Sequence, residues 1–203
     1  MGNYREETLS FYDNVAADFK IERNSLQGFD EIYSLFLSYL KAGSKILDFG
    51  CGTGRDSLYF KKHGYDVTAL DGSAKMCEIT KESCDVPVLH VYFEDFKEEN
   101  QYDGIWACAS LLHLPKDNLV VVLQNCANAL KKDGYMYVCF KRGDFEGFRG
   151  TRYYFDMEEE TFKKILELVP DLEVVEVYYN ESKLESQPEI RWINFVLKKR
   201  LLH

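Results

Sequence analysis

The chain has 203 residues, of which 46% are hydrophobic and 15% aromatic, and its formal net charge is −9 at pH 7. This length and composition predict one folded domain with a sizeable core, and they exclude a disordered chain. The negative charge argues against broad, sequence-independent binding to DNA or RNA, which depends on the neutralisation of phosphates.

The cysteines and the apolar segments indicate the kind of cellular compartment in which the protein is expected. Six cysteines are scattered along the chain without a Cys-x-x-Cys spacing, so we expect no metal site and reduced thiols, as in a cytoplasmic protein. No apolar run approaches the roughly 20 residues that span a bilayer. The first residues are polar and acidic, which predicts neither a membrane segment nor a signal peptide.

Helical and strand patterns alternate along most of the chain. Two helices are predicted first, over residues 5–20 and 28–41, and Gly43 ends the second. Strands are then predicted at 45–49, 66–70, 88–93, 102–109 and 134–141, with intervening helices at 54–62, from Ser73 to about 83, and at 116–131. This alternation predicts a mostly parallel, doubly wound sheet with helices on both faces.

The last part of the chain has a different pattern. A helix is predicted at 157–168, and two β-rich runs follow at 172–180 and 190–199, separated by a short polar loop. Two such runs form a hairpin, so we expect the sheet to end in an antiparallel edge.

Residues 45–60, KILDFGCGTGRDSLYF, place three glycines between a strand and a helix. Gly50, Gly52 and Gly54 allow a sharp turn and let a ligand lie against bare backbone. The free N–H groups of the following helix suit a carboxylate or a phosphate. The turn does not match the dinucleotide pattern G-x-G-x-x-G, whose third glycine would fall at Arg55, and it lacks the Gly-Lys-Ser/Thr of a P-loop.

A carboxylate is predicted beside this turn. The 23 residues from Asp48 to Asp71 are enough for one strand, one turn, one helix and a second strand. Asp71 is therefore expected at the carboxyl end of the neighbouring strand, where it can accept both hydroxyls of a ribose. Capping of a helix or turn is the alternative role of both aspartates.

These segments resemble the cofactor-binding core of class I S-adenosylmethionine-dependent methyltransferases. The family has an acidic residue followed by x-G-x-G-x-G, which Asp48 and the three glycines match, and an acid at the end of the second strand, which Asp71 matches. Residues 92–96, YFEDF, resemble the stretch that recognises adenine, with Asp95 as the acceptor from N6. Segments 102–114 and 129–138 resemble the motifs around the fourth and fifth strands, so the similarity covers about residues 40–141.

The resemblance implies a Rossmann-like, three-layer α/β fold of seven strands with the last strand antiparallel. It implies a single domain over 1–203, with a helical lid at 1–42, a cofactor core at 43–141 and an acceptor-side loop and hairpin at 142–203. Within the family, the chain is similar to tellurite-resistance-type and small uncharacterised methyltransferases. The implied cofactor is S-adenosyl-L-methionine, and the residues expected to bind it are Tyr12, Asp48, Gly50, Cys51, Gly52, Gly54, Arg55, Asp71, Gly72, Glu94, Asp95, Phe96, Cys108 and Ala109.

The chemistry of this cofactor fits the turn. S-adenosylmethionine carries no phosphate, so the turn needs no lysine. Asp48 and carbonyl groups of the turn can accept from its ammonium group, and N–H groups of the turn or Arg55 can bind its carboxylate. An ion pair of Arg55 with Asp56 or Glu94 is an equally good interpretation of that arginine.

Methyl transfer requires an acceptor atom held in line with the sulfonium, about 3 Å from the methyl carbon. His113 follows the predicted fourth strand and is the candidate catalytic base for an oxygen or nitrogen acceptor, although a purely structural role at a helix entry is the alternative. After the fifth strand, a glycine-bearing segment carries residues that are expected to hold an anionic or planar acceptor, namely Arg142, Arg149, Arg152, Tyr153 and Tyr154. An ordinary crossover loop is the alternative there.

The N-terminal helices and the last strand supply further candidates. Phe11, Tyr12, Phe19 and Arg23 are expected in a lid over the cofactor, and ordinary helix packing explains the aromatic residues equally well. Trp192 is expected either in the acceptor cleft or in the core.

The leading hypothesis is methyl transfer to a small molecule, with no membrane partner and, given the charge, no nucleic acid; the sequence does not indicate an oligomeric state. Methylation of RNA or of a protein side chain is the first alternative, and it needs a contiguous basic surface. Residues 107–110, ACAS, depart from the Asn/Asp-Pro-Pro-Tyr/Phe motif of amide-methylating relatives, which argues against adenine-N6 methylation of DNA. A binding protein without catalysis and, more distantly, a dehydrogenase are the remaining alternatives.

Overall fold

The computed structural model describes residues 3–23, 29–182 and 189–200, without the side chains of residues 17 and 19–23. Two helices come first, α1 (Tyr4–Arg23) and α2 (Asp30–Ser38). The alternating part follows as β1 (Lys45–Phe49), α3 (Arg55–Lys62), β2 (Asp66–Asp71), α4 (Ala74–Cys84), β3 (Val88–His90), β4 (Tyr102–Ala107), α5 (Lys116–Ala129) and β5 (Leu130–Lys141). The remaining elements are β6 (Glu146–Arg149), β7 (Arg152–Phe155), α6 (Glu159–Leu166), β8 (Leu172–Glu181) and β9 (Arg191–Lys199).

Seven strands form one sheet in the order β3-β2-β1-β4-β5-β9-β8. The first five pair in parallel, and β9 pairs antiparallel with β5 on one side and with β8 on the other. The predicted fold, a doubly wound sheet of seven strands with the last strand antiparallel, is therefore confirmed. Because β1 to β5 run in the same direction, their carboxyl ends meet at one edge of the sheet, where ligands bind in folds of this kind.

The two faces of the sheet are covered by different helices. Alternate residues of each strand point to opposite faces, so Leu47 and Ile105 belong to one buried cluster and their neighbours Ile46 and Trp106 to the other. The first cluster packs against α5 and α6, and the second against α2 and α3. Because both faces of the sheet are buried, the strands are continuous apolar runs in the sequence.

The structure differs from the predicted elements at several places, and the fifth strand begins at Leu130, where the predicted helix continued to residue 131. The third strand is shorter than predicted, because the chain turns into a short 3₁₀ helix (Phe93–Asp95) whose Phe93 ring packs 4.7 Å from the ring of Phe49. The fourth strand ends earlier, since Ala109 has a positive φ of 51°. The segment after β5 is a two-stranded hairpin, β6–β7, rather than an irregular loop.

Helix α1 packs across the carboxyl edge of the sheet, where two side chains fix it. The Thr8 hydroxyl accepts from the backbone N–H of Tyr153 at 3.1 Å, and Asp13 accepts from the Ser73 hydroxyl at 2.6 Å. In the described part of the chain, no helix combines the length and the apolar character needed to cross a membrane.

Candidate functional site

The glycine turn joins the ends of β1 and β2. The backbone N–H groups of Gly50 and Cys51 both donate to the carbonyl of Leu70, at 2.8 and 2.9 Å. Gly50 has a φ of +87°, and a Cβ atom there would lie 2.3 Å from the Cβ atom of Ser110. Only glycine therefore fits at this position, because both the backbone angle and the close approach exclude a side chain.

Asp71 holds the turn from the neighbouring strand. One carboxylate oxygen accepts from the N–H of Gly52 at 2.9 Å, and the other accepts from the N–H of Ser73 at 2.8 Å. Burial raises the pKa of Asp71, while these backbone donors oppose the increase. The predicted proximity of the turn and the carboxylate is present, and the remaining lone pairs of Asp71 are available to a ligand.

A cavity of about 240 Å³ lies above the carboxyl edge of the sheet. The turn, Asp71 and Glu94 line the part that lies over β1, β2 and β3. The other part is lined by His113, which lies in a 3₁₀ helix (Leu111–His113) after β4, and by Lys141 and Trp192 at the ends of β5 and β9. Helix α1 closes the cavity with Tyr4, Thr8 and Tyr12.

Comparisons with known proteins agree with this geometry. Residues 46–134 match the family model described as a methyltransferase domain. The chain is 24% identical over 170 residues to the "Ubiquinone biosynthesis O-methyltransferase" of Coxiella burnetii, covering 76% of this chain and 72% of that protein.

Solved structures share the fold. One is the 1,6-didemethyltoxoflavin-N1-methyltransferase of Burkholderia thailandensis with bound S-adenosylhomocysteine, which is 18% identical at a TM-score of 0.78 and covers 95% of this chain and 87% of that chain. Another is a TehB-like methyltransferase from Corynebacterium glutamicum, 21% identical at a TM-score of 0.69, covering 95% of this chain and 98% of that one.

The matched family segment contains the glycine turn, Asp71 and the first four strands of the sheet. Residues 46–134 form a methyltransferase domain, and the relatives support the resemblance of the chain to class I S-adenosylmethionine-dependent methyltransferases. The predicted enzyme class and the predicted cofactor, S-adenosyl-L-methionine, are thereby confirmed.

Ten of the residues predicted to bind the cofactor line the cavity of the methyltransferase. They are Tyr12, Gly50, Cys51, Gly52, Arg55, Asp71, Gly72, Glu94, Cys108 and Ala109. Four do not line it, namely Asp48, Gly54, Asp95 and Phe96. The side chains of Phe19 and Arg23, which were predicted in the lid, lie outside the described residues.

Asp48 lies beneath the turn rather than at the cavity. Its side chain accepts from the Ser57 hydroxyl at 2.5 Å, and the residue is only 1% exposed. Burial raises the pKa of Asp48 to about 8, and the nearby carboxylate of Asp56 adds to the increase. The carboxyl group of Asp48 ties β1 to helix α3 and does not line the cavity, where it was predicted to meet the ammonium group of the cofactor.

Two of the other three exceptions, Phe96 and Gly54, have packing roles. Phe96 packs its ring 5.3 Å from that of Phe49 in the core. Gly54 precedes α3 with a φ of +84°, and a Cβ atom there would meet the Sγ atom of Cys84 at 2.5 Å. At residues 92–96, Glu94 lines the cavity in place of Asp95. The Glu94 carboxylate accepts from the hydroxyl of Tyr4 and pairs with Arg5 at 3.0 Å.

Arg55 forms the predicted ion pair with Asp56 and also lines the cavity. Its guanidinium donates to both carboxylate oxygens, at 2.6 and 3.0 Å, and stacks 3.9 Å from the ring centroid of Phe29. Burial acts to raise the pKa of Asp56, but the guanidinium outweighs burial and the pKa lies below its usual value. Trp106 Nε1–H also donates to Asp56, at 2.8 Å.

Two hydrogen bonds fix the orientation of His113. Its Nδ1 lies 2.6 Å from the backbone carbonyl of Tyr153, and its Nε2 lies 2.7 Å from the hydroxyl of Tyr12. A carbonyl oxygen only accepts, so Nδ1 carries the proton and Nε2 accepts from Tyr12. Burial lowers the pKa of His113 to about 4, and the positive charges of Arg152 and Lys141 act in the same direction. The imidazole is therefore neutral at pH 7.

In the hairpin β6–β7, neighbouring side chains point to opposite sides of the strand, so only some of the predicted acceptor residues face the cavity. Arg152 and Tyr154 line the cavity, whereas Tyr153 points outward, where its hydroxyl donates to Glu146 at 2.8 Å. Arg142 also lies outside, paired with Glu158 at 3.3 Å. Arg142 and Tyr153, which were predicted to hold the acceptor, thus do not line the cavity.

The sequence reasoning missed Lys141, which lies at the carboxyl end of β5. Its position at that edge of a parallel sheet is the signal that points to it.

Proposed function

We propose that this methyltransferase transfers the methyl group of S-adenosylmethionine to an oxygen or nitrogen atom of a small molecule. The observation that carries the proposal is that a single cavity is lined by the glycine turn and Asp71 and also by His113, Arg152 and Tyr154. Two reactants held side by side in one cavity react as if they were parts of one molecule.

The cofactor is proposed to lie along the strand ends. The ribose hydroxyls donate to Asp71, and the methionine arm follows Gly50 and Gly52 toward Cys108 and Ala109 at the end of β4. This orientation directs the sulfonium toward His113. In the domain division proposed with it, helix α1 within residues 1–42 acts as the lid, residues 43–141 hold the cofactor, and residues 142–203 contribute to the acceptor side.

The acceptor atom attacks the methyl carbon in line with the carbon–sulfur bond. The new O–C or N–C bond forms as the C–S bond breaks, which leaves neutral S-adenosylhomocysteine. The proton of the acceptor passes to Nε2 of His113, at the position where the hydroxyl of Tyr12 donates in the absence of an acceptor. The carbonyl of Tyr153 keeps the imidazole in the tautomer that accepts this proton.

Three observations support a small acceptor over RNA or a protein. Helix α1 packs over the cavity, with Tyr12 in contact with His113. The net charge of −9 disfavours a polyanionic partner. The Coxiella burnetii relative is named as an O-methyltransferase of ubiquinone biosynthesis, and the Burkholderia thailandensis structure holds a small heterocyclic compound.

The test is an acceptor screen with the full chain. S-adenosylmethionine is incubated with a panel of phenols, catechols, hydroxy acids and aromatic amines, and the S-adenosylhomocysteine formed is measured. Transfer to at least one small molecule is expected, with His113→Gln reducing kcat about 100-fold or more at an unchanged affinity for the cofactor. Transfer to bulk RNA or to proteins, with none to the small molecules, would contradict the proposal.

A further inference from the structure

The charged groups that line the cavity differ in whether a group of opposite charge or a hydrogen-bond donor binds them. Three carboxylates line it, and each already has partners: Asp56 is bound by Arg55, Asp71 by backbone N–H groups, and Glu94 by Arg5. Arg152 differs from the other two cavity arginines, because no carboxylate in the described part of the chain lies within ion-pair distance of its guanidinium.

Aromatic rings hold Arg152 in place. Its guanidinium carbon lies 4.3 Å from the ring centroid of Phe11 and 5.3 Å from that of Tyr154. Stacking of this kind uses the face of the guanidinium and leaves the N–H groups at its edge directed elsewhere. The edge of a guanidinium matches two oxygens of a carboxylate. Arg152 is therefore oriented for an anionic ligand.

Three acids near the hairpin have partners other than Arg152. Asp156 pairs with Arg149, and Glu158 pairs with Arg142. Glu146 accepts from the outward-pointing hydroxyl of Tyr153. The protein itself thus supplies no carboxylate to Arg152 among the residues described.

A second cation lies in the same part of the cavity. The Lys141 ammonium is 4.4 Å from the ring centroid of Tyr154, on which Arg152 also packs. Both cations act on His113, whose ring lies 4.8 Å from that of Tyr154. The bound cofactor brings the positive sulfonium to this region as well. Like charges in a partly buried site repel unless an anion joins them.

We infer that the acceptor is a small aromatic carboxylate whose carboxylate group binds Arg152 and Lys141 while its ring packs against Tyr154 and Trp192. This inference rests on the proposed function, because it names the class of molecule that occupies the acceptor part of the cavity. The methylated atom is a hydroxyl or amino group of the same molecule, directed toward His113. The anion offsets the positive charge that Arg152, Lys141 and the sulfonium create together.

Calorimetry on the protein saturated with S-adenosylhomocysteine tests the inference. The probes are benzoate and 4-hydroxybenzoate, each compared with its uncharged amide, benzamide or 4-hydroxybenzamide. We expect each carboxylate to bind at least 10-fold more tightly than its amide. Arg152→Gln should weaken carboxylate binding about 10- to 100-fold, and Arg152→Lys should retain part of the affinity. Arg142→Gln, a matched change at an arginine outside the cavity, should bind the carboxylates like wild type.

Three results would each overturn the inference: amides that bind as tightly as carboxylates, carboxylates that fail to bind, or Arg152→Gln with unchanged carboxylate affinity. The same titrations separate this failure from that of the proposed function. If S-adenosylhomocysteine itself does not bind, the proposed function fails; if it binds and the carboxylates show no preference, only the present inference fails. Should Arg152→Gln not fold, the wild-type comparison of carboxylate with amide and the Arg152→Lys variant decide the outcome.

Discussion

Gly52 allows the effect of a side chain on the ligand to be separated from its effect on the fold. Its φ is +54°, and an added Cβ atom would meet nothing within 4 Å. Gly64, in the turn after α3, has a φ of +84° and is equally open, but it does not line the cavity. Alanine at either position should therefore cost about 1–2 kcal/mol of unfolding free energy from the left-handed backbone alone.

The two variants should differ in cofactor binding. Gly52→Ala places a methyl group in open space at the cavity wall, where the cofactor is expected to touch bare backbone. Forcing an extra methyl group into an occupied site costs about 1–3 kcal/mol, which corresponds to a loss of affinity of roughly 5- to 150-fold. Gly64→Ala should bind the cofactor like wild type.

Urea denaturation of both variants gives the unfolding free energies, and calorimetry with S-adenosylhomocysteine gives the affinities. A similar stability loss in the two variants combined with weaker binding in Gly52→Ala alone is the expected outcome. If Gly52→Ala binds S-adenosylhomocysteine as tightly as Gly64→Ala, the reasoning that the ligand lies against this turn is refuted.

Three further predictions concern titratable groups. Asp71→Asn should weaken S-adenosylhomocysteine binding at least about 10-fold by calorimetry, because an amide nitrogen then faces either a backbone donor or a ribose hydroxyl. NMR titration should give His113 a pKa of about 4, and Arg152→Gln should raise that pKa by removing a nearby positive charge. Because the pKa of Asp48 is raised on folding to about 8, its contribution to stability is complete below pH 4 and is lost as the pH rises toward 8. Asp48→Asn, which retains an oxygen to accept from Ser57, should therefore remove that decline, as urea denaturation at pH 6 and pH 9 would measure.

Each of these three expectations has a contradicting result. Unchanged affinity in Asp71→Asn would argue against ribose recognition by that residue. An imidazole pKa near 6.5 for His113 would mean that its ring is solvated rather than buried. A wild-type stability that falls no more than that of Asp48→Asn between the two pH values would mean that Asp48 is ionised throughout.

The fold and the cofactor half of the site could be predicted from sequence because local chain geometry determines them. Strands and helices of regular length alternate from Lys45 to Lys141, and a parallel sheet is the arrangement that buries them. The distance along the chain from the glycine turn to Asp71 then leaves little freedom in where that carboxylate lies. The hydrogen bond from Gly52 to Asp71 follows from these constraints.

The acceptor half was less predictable because it depends on contacts between distant segments. The charged segment after β5 forms a hairpin in which Arg152 faces the cavity and Tyr153 faces away. A shift of the strand register by one residue would reverse which of the two faces inward, and the sequence does not determine that register. The side chain of Asp48 turns to Ser57 on α3, a choice that the family motif does not reveal. The tautomer of His113 depends on helix α1 and on the hairpin together.

The glycine turn and Asp71 are proposed to bind S-adenosylmethionine so that its sulfonium faces His113. A crystal structure of the full chain with S-adenosylhomocysteine would show this arrangement. We expect ribose hydroxyls within about 3.2 Å of the Asp71 carboxylate, as hydrogen bonds require, and a sulfur atom directed toward the end of β4. An adenosyl group bound away from Asp71, or a sulfur atom directed away from His113, would show that the proposed binding mode is wrong.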